Sequence, residues 1–369
     1  MQVGAQSSAD RYTYMPLIGL FIMGVWAADD FMAGLKFRKW IAVLGSVAIL
    51  SFCAAVTAWQ IQFWRNGVAL FDRALAVTAN NPVAQNDLAA ALVADGDLQE
   101  ALPHYEAAAR LAPDNTLIQN NFGVALARDG MTNAAIAHYE MAVQIQTNYA
   151  DAYNNLGVAL TGQGGFGDAI SALDRASAIE PDNAGVHENL GAVQMLINQS
   201  EDALEQYRQA AALAPRDAVI HLNFGLALLK AGLIPQAAGE FSNAVSLDAS
   251  SPEAQYQLGC CLAILRQPEA AVAHLREAAR LQPDWTEPLN AMAWILATDG
   301  DAQIRNGREA VRLAKTLAAA YAETGWFAEA TNVAGQAIEL AQQSGQSNLM
   351  AQIESLLTLY QHGRPFHHQ

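Results

Sequence analysis

From Pro82 onward the apolar and small positions of the chain return on a beat of 34 residues. Counting Pro82 as position 1, a small residue occupies position 8 as Ala89, Gly123, Gly157, Gly191, Gly225 and Gly259. The residue before it is large and apolar each time: Leu88, Phe122, Leu156, Leu190, Phe224 and Leu258. Position 20 is always Ala (Ala101, Ala135, Ala169, Ala203, Ala237, Ala271), and so is position 27 (Ala108, Ala142, Ala176, Ala210, Ala244, Ala278). Position 24 is bulky, as Tyr105, Tyr139, Leu173, Tyr207, Phe241 and Leu275. Small residues let two helical backbones approach and the bulky one fills the remaining gap, so each unit reads as a pair of helices joined by a turn. Pro113, Pro181, Pro215 and Pro283 stand at position 32, where a missing N–H and a fixed φ end the second helix. Coiled-coil heptads would not reset with Gly and Pro at this interval.

A helix-turn-helix period of this length, with these residues in phase, resembles the tetratricopeptide repeat (TPR). The expected fold is all-α, a right-handed TPR superhelix (α-solenoid) preceded by one or two transmembrane helices, with six TPR units over 82–285. Residues 63–81 are expected to form a capping half-repeat, because Phe71 and Ala74 lie 34 residues before Tyr105 and Ala108. Past 285 the phase breaks. Ala293 fits position 8, and Leu317, Ala318, Tyr321, Ala330 and Ala337 fit positions 7, 8, 11, 20 and 27, yet only 25 residues separate Ala293 from Ala318. Nothing between Gly307 and Glu323 breaks a helix, so either two helices merge there or the chain carries a deletion. Residues 286–361 are thus degenerate units and a cap, and 362–369 a flexible tail.

The front of the chain breaks the pattern differently. Residues 1–62 read as a membrane segment. Trp40–Trp59 is 20 residues without a charge, enough to cross a hydrocarbon core of roughly 30 Å. A second span is expected over about 14–32, and the basic loop 36–39 between the two belongs in the cytoplasm by the positive-inside rule. The repeats, one crossing later, are then expected on the non-cytoplasmic side, the periplasm of a bacterium or the ER lumen of a eukaryote. A cleaved signal sequence is the alternative for the apolar run.

Charge sharpens the division. The first 80 residues carry six Lys/Arg against four Asp, a net of +2, so the remainder holds −18 of a total of −16. An acidic array repels phosphate, which argues against a nucleic-acid partner. No spacing supports metal or cofactor chemistry either. Gly162, Gly164, Gly165 and Gly167 imitate a dinucleotide loop but sit in an inter-helix turn with no strand before them. His187-Glu188 begins a zinc-protease string, but Gly191 stands where its second His would be. His104 and His138, like His187 and His221, are 34 apart because the repeats are. Cys53, Cys260 and Cys261 make no spaced pair, and His362, His367 and His368 lie in the tail.

The sharper feature is position 6: Asp87, Asn121, Asn155, Asn189, Asn223 and Gln257. First helices line the concave side of a TPR superhelix, so these side chains are expected to form a row. A carboxamide offers both an acceptor and donors and can grip a peptide unit's N–H and C=O together. Such a row would hold an extended backbone with little regard to its side chains. Position 9 is small or apolar (Ala90, Val124, Val158, Ala192, Leu226, Cys260), and Asn86, Asn120 and Asn154 at position 5 are expected to widen the row. The TPR O-GlcNAc transferases are similar in carrying an Asn ladder that holds substrate peptides. The plain alternative is that each amide bonds the adjacent repeat.

Several stretches resemble the TPR-containing transmembrane O-mannosyltransferases: Ala9-Asp10-Arg11-Tyr12-Thr13-Tyr14-Met15-Pro16 with Ile18-Gly19-Leu20, Gln62-Phe63-Trp64-Arg65 with Leu70-Phe71, Asn290 to Thr298, and Thr316 to Glu323. The resemblance implies a family motif near the membrane at Asp10 and Arg11, and places this chain at the last spans and repeats of such a glycosyltransferase. The acidic loop that sugar transfer needs is not in this sequence, so no catalysis is expected from this chain alone. The expected function is a membrane-anchored scaffold that binds protein or extended peptide. A glycosyltransferase fragment and a purely structural assembly subunit are the alternatives.

Overall fold

The computed structural model describes residues 26–27, 38–298, 306–343 and 345–365. Among them the regular structure is helical throughout, with eighteen α-helices, a short 3-10 turn and no strand. The chain forms two compact units, Met1–Gly164 and Gly165–Gln369.

The first unit holds α1 (Arg38–Ile61), α2 (Gly67–Val77), α3 (Pro82–Asp95), α4 (Leu98–Leu111), α5 (Thr116–Arg128), α6 (Thr132–Ile145) and α7 (Ala150–Gly162). One stretch, Val43–Trp64, is long and apolar enough to cross a membrane, with a mean hydropathy of 1.7 and none of its length buried in the protein. The backbone of Arg38 and Lys39 is already helical, so these residues open α1 and do not lie in a loop. Apart from helical Trp26 and Ala27, the expected span 14–32 lies outside the described residues, as do Asp10, Arg11, Lys36, His367 and His368. α2 is capped by Asn66, whose side chain accepts from the Ala69 N–H, and lies so close to α3 that a Cβ on Gly67 would come within 2.9 Å of Ala91. Its Asp72 and Arg73 face solvent.

The second unit holds α8 (Phe166–Ile179), α9 (Ala184–Leu196), α10 (Ser200–Leu213), α11 (Ala218–Lys230), α12 (Ile234–Leu247), α13 (Pro252–Ile264), α14 (Pro268–Leu281), α15 (Thr286–Thr298), α16 (Gly307–Glu323), α17 (Phe327–Gln343) and α18 (Ser347–Gln361). Within each unit, from α2 onward, helices adjacent in sequence pack against each other.

The first helices of the repeats, α3, α5, α7, α9, α11 and α13, mostly begin alike. The side chains of Asn81, Asn115, Asn183, Asp217 and Ser251 accept from backbone N–H groups of the first turn, each cap worth about 1 kcal/mol. The turn to the second helix places position 15 in the left-handed region in every repeat, with Gly96, Gly130, Gly164 and Gly232 joined by Asn198 and Arg266. Glycine meets that φ without a Cβ penalty.

Within a repeat, the alanines of positions 20 and 27 are sealed from solvent, as are the large residues of positions 7 and 24. The reason for glycine at position 8 is steric. A Cβ on Gly123 or Gly225 would sit 2.6 Å from the ring of Tyr139 or Phe241, and one on Gly191 2.8 Å from Tyr207. Burial pushes the hydroxyls of Tyr139 and Tyr207 up to about 12.

At the C-terminal end α16 is a single helix of 17 residues serving two partners. Ala310 packs with Met292, Ile295 and Leu296 of α15, while Ala318 and Ala322 pack with Ala330, Ala334 and Ala337 of α17 and Ile353 and Leu356 of α18. Merging two helices thus lets one element close one pair and open the next.

Candidate binding face of the first helices

Position 6 is half-buried in all six repeats. In the first unit, Asn121 Nδ2 donates to Asn86 Oδ1 at 3.0 Å and Asn155 Nδ2 to Asn120 Oδ1 at 3.0 Å, while Asn86 Nδ2 donates to Asp87 Oδ1 at 3.1 Å. In the second unit, Asn223 Nδ2 donates to Glu188 Oε1 at 2.6 Å, and Gln257 Nε2 turns back to Glu253 of its own helix at 2.6 Å. Asn189 is half-buried and hydrogen-bonded or otherwise engaged. The position 6 amides of Asn121, Asn155 and Asn223 therefore reach to position 5 of the preceding repeat, and one of the two N–H groups of each is spent in stitching repeats together. This changes the role of two residues expected to widen the row. Asn86 and Asn120 are only 5% and 6% exposed; they are buried acceptors for the neighbouring amide. Asn154 is half-buried.

The face carrying position 6 also carries positions 2, 9 and 13, since steps of three and four residues return to the same side of a helix. Large apolar side chains stand exposed there. Val83, Leu117 and Val158 do so in the first unit, and Leu196, Val219, Ile264 and Trp294 in the second, each between 47% and 71% exposed.

A second polar pattern lies deeper, between positions 4 and 23. His104 Nδ1 meets Gln85 Oε1, His138 meets Gln119 and His274 meets Gln255, all at 2.7 Å. In the fourth repeat the types are exchanged, with His187 Nδ1 2.7 Å from Gln206, and in the fifth His221 lies 2.6 Å from Glu240. The position 4 side chain also binds the turn before it. Gln119 Nε2 donates to the Pro113 carbonyl at 2.9 Å, Gln255 Nε2 to that of Ala249 at 3.2 Å, and His187 and His221 approach those of Pro181 and Pro215 at 2.9 and 3.3 Å. One side chain thus ties both helices of its repeat to the preceding turn. Because the Pro113 carbonyl can only accept, Gln119 gives it the NH2 and turns Oε1 to His138, whose Nδ1 carries the proton. Burial lowers the pKa of His138 and of His274. The 34-residue spacing of the histidines reflects this clamp, and among the described residues no cluster of His, Cys, Asp and Glu could hold a metal ion. The exchange of His and Gln between the two positions was a readable signal. The third repeat has Tyr153 and Ala172 there instead.

Cys261 is buried, its thiol pushed up to about 11 by burial and by Cys260, and the pKa of Cys260 is also raised by burial. Neither thiol is activated as a nucleophile. Gly164 lies in the turn after α7 and Gly167 inside α8, which leaves no phosphate-binding loop.

Stacked two-helix units with an apolar and amide-bearing first-helix face define a helical-repeat interaction protein. Family profiles described as tetratricopeptide repeat match residues 80–148, and 154–218 with 222–285, together more than half of the chain. Over that stretch the chain belongs to the tetratricopeptide-repeat family. A search of curated proteins found no match. Among solved structures, the chain is similar to pilF of Pseudomonas aeruginosa at 19% identity, covering 55% of this chain and 92% of that one with a TM-score of 0.50. It is also similar to the APC/C hetero-tetramer Cut9-Hcn1 at 16% identity, covering 61% of this chain and 45% of that one with a TM-score of 0.53. YrrB, described as a TPR protein with an unusual peptide-binding site, is 24% identical over 51% of this chain and 96% of its own, with a TM-score of 0.43. The first two likenesses show the fold.

Proposed function

We propose that this protein is a membrane-tethered scaffold whose first-helix face binds extended polypeptide, the amides of position 6 holding the peptide backbone. The observations that carry the reading are, in the first unit, half-exposed Asp87, Asn121 and Asn155 on the helix faces that expose Val83, Leu117 and Val158, and, in the second unit, Asn189, Asn223 and Gln257 on those that expose Leu196, Val219 and Ile264. A carboxamide that spends one N–H on its neighbour has a second N–H and an oxygen beyond that bond. The interlocking also pre-orders the row, which reduces the entropy lost on binding. In the test, the full chain in detergent is titrated with labelled extended peptides, and N121A and N155A are each expected to weaken binding by about 1 kcal/mol per lost hydrogen bond. Unchanged affinity in both would leave only a structural scaffold.

The tether in this reading is α1. Its exit is marked by Trp59 and Phe63, rings 5.0 Å apart at 87°, with the Arg73 guanidinium 5.3 and 5.1 Å from their centroids. Aromatic rings with a cation beside them suit the headgroup level. The repeats then lie on the non-cytoplasmic side. A membrane-impermeant maleimide offered to D151C from one side of the membrane at a time tests this, and labelling from the cytoplasmic side would reverse the orientation. The family profiles match within 80–285, so the sugar-transfer reading rests on the sequence resemblance and has no support from them.

A further inference from the structure

Between α13 and α15, at the C-terminal end of the first-helix face, lies a cavity of about 380 Å3, of a size that takes one large side chain or a small ligand. Its walls include Tyr256, Cys260, Ile264 and Trp294, with Glu287 and Asn290 also lining it. Position 6, which carries an amide in the five repeats after the first, becomes Ala291 here. The loss of that amide, between the small Ala263 and Ala291, opens the space.

The walls suit an aromatic guest. Tyr256 is held by Trp285, ring centroids 4.6 Å apart at 55°, so one side of the cavity is braced. Trp294 and Ile264 line the same space and are 71% and 59% exposed, a large apolar area for a repeat surface to leave in water. The mouth is acidic. No Lys or Arg lines the cavity, Glu287 does, and Glu253 stands close enough that it and Glu287 add to burial and Cys260 in pushing the Tyr256 hydroxyl up to about 12. A cation beside the guest would be attracted by both carboxylates and by the indole face.

We propose that this cavity is the anchor subsite of the bound polypeptide, taking one aromatic or large aliphatic side chain that is flanked in its sequence by Lys or Arg. The inference rests on the peptide-binding reading above and adds to it a sequence preference that the amide row by itself would not impose.

The test uses the full chain in detergent and fluorescein-labelled peptides of the form Gly-Ser-Lys-X-Lys-Ser-Gly, read by polarisation. With X as Phe, affinity is expected to exceed that with X as Ala at least ten-fold, and replacing both Lys by Glu should abolish the gain. Ala263→Phe, which fills the cavity, and Trp294→Ala, at an exposed position, should each remove the Phe preference while the Ala peptide binds as before. Equal affinity for the Phe and Ala peptides, both weakened by Asn223→Ala, would overturn the anchor and leave the amide row standing. If no peptide binds the unaltered chain, the amide-row reading fails and the anchor falls with it.

Discussion

Asn155 Nδ2 donates to Asn120 Oδ1 at 3.0 Å across 35 residues of sequence. The acceptor is buried and the donor half-exposed, so the bond joins one repeat to the next and leaves its outer edge at the surface. Asn155→Ala would leave the Asn120 oxygen buried without this donor, a loss of about 1–2 kcal/mol. Urea unfolding of the detergent-solubilised chain, followed by helical circular dichroism, should show a lowered midpoint. An unmoved midpoint would mean that water replaces the amide at no cost.

Gly225→Ala would place a methyl 2.6 Å from the Phe241 ring. Overpacking of this kind costs about 1–3 kcal/mol. Gly239, on the second helix of the same repeat, has open space where a Cβ would go, and Gly239→Ala there should stabilise by about 0.5–1 kcal/mol. Opposite shifts in thermal midpoint for the two variants would separate the steric demand of position 8 from helix propensity.

The Gln119–His138 clamp should tolerate exchange better than loss. Gln119→Ala or His138→Ala strands a polar partner, at about 1–3 kcal/mol. The double variant Q119H/H138Q reproduces the arrangement that His187 and Gln206 adopt in the fourth repeat. It should recover most of the stability in urea unfolding. A double variant no more stable than either alanine variant would show that the surroundings of the two pairs are not equivalent.

Burial holds His138 and His274 below the ordinary histidine range. As pH falls below about 6.5 the unfolded chain takes up protons first, so stability is lost from that pH down to the lowered folded-state pKa and is unaffected above it. The variant H138Q/H274Q should therefore lose less stability than the unaltered chain when both are taken from pH 7 to pH 5 (about 6.5 being the unfolded-state pKa). Parallel pH profiles would show that other groups govern the acid limb.

The helix pairs were readable because their defining contacts lie within one repeat. Gly225 meets Phe241 and Gly191 meets Tyr207 at the same short separation each time, so the recurrence of residue types reports the contact directly. The partners of the amides were not readable. Asn121 could reach a ligand, a neighbouring helix or its own turn with the same spacing, and its bond to Asn86 depends on how far one repeat is rotated against the next. The left-handed φ of Asn198 and Arg266 was hidden for a similar reason, since those residue types alone do not announce a conformation that glycine marks in the other repeats.

What the sequence by itself determined is what a period can carry: helices of set length, small residues where backbones touch, proline where a helix stops, and an uncharged run too long for a repeat. What only the tertiary structure decided is direction and sharing. It turned Asn86 and Asn120 inward, tied Gln and His into a clamp across three elements, let α16 serve α15 and α17 together, and opened a cavity beside Tyr256 and Trp294. A period records which residue types recur, whereas a hydrogen-bond partner or a void depends on distances between side chains of different helices, which are fixed only once the backbones have packed.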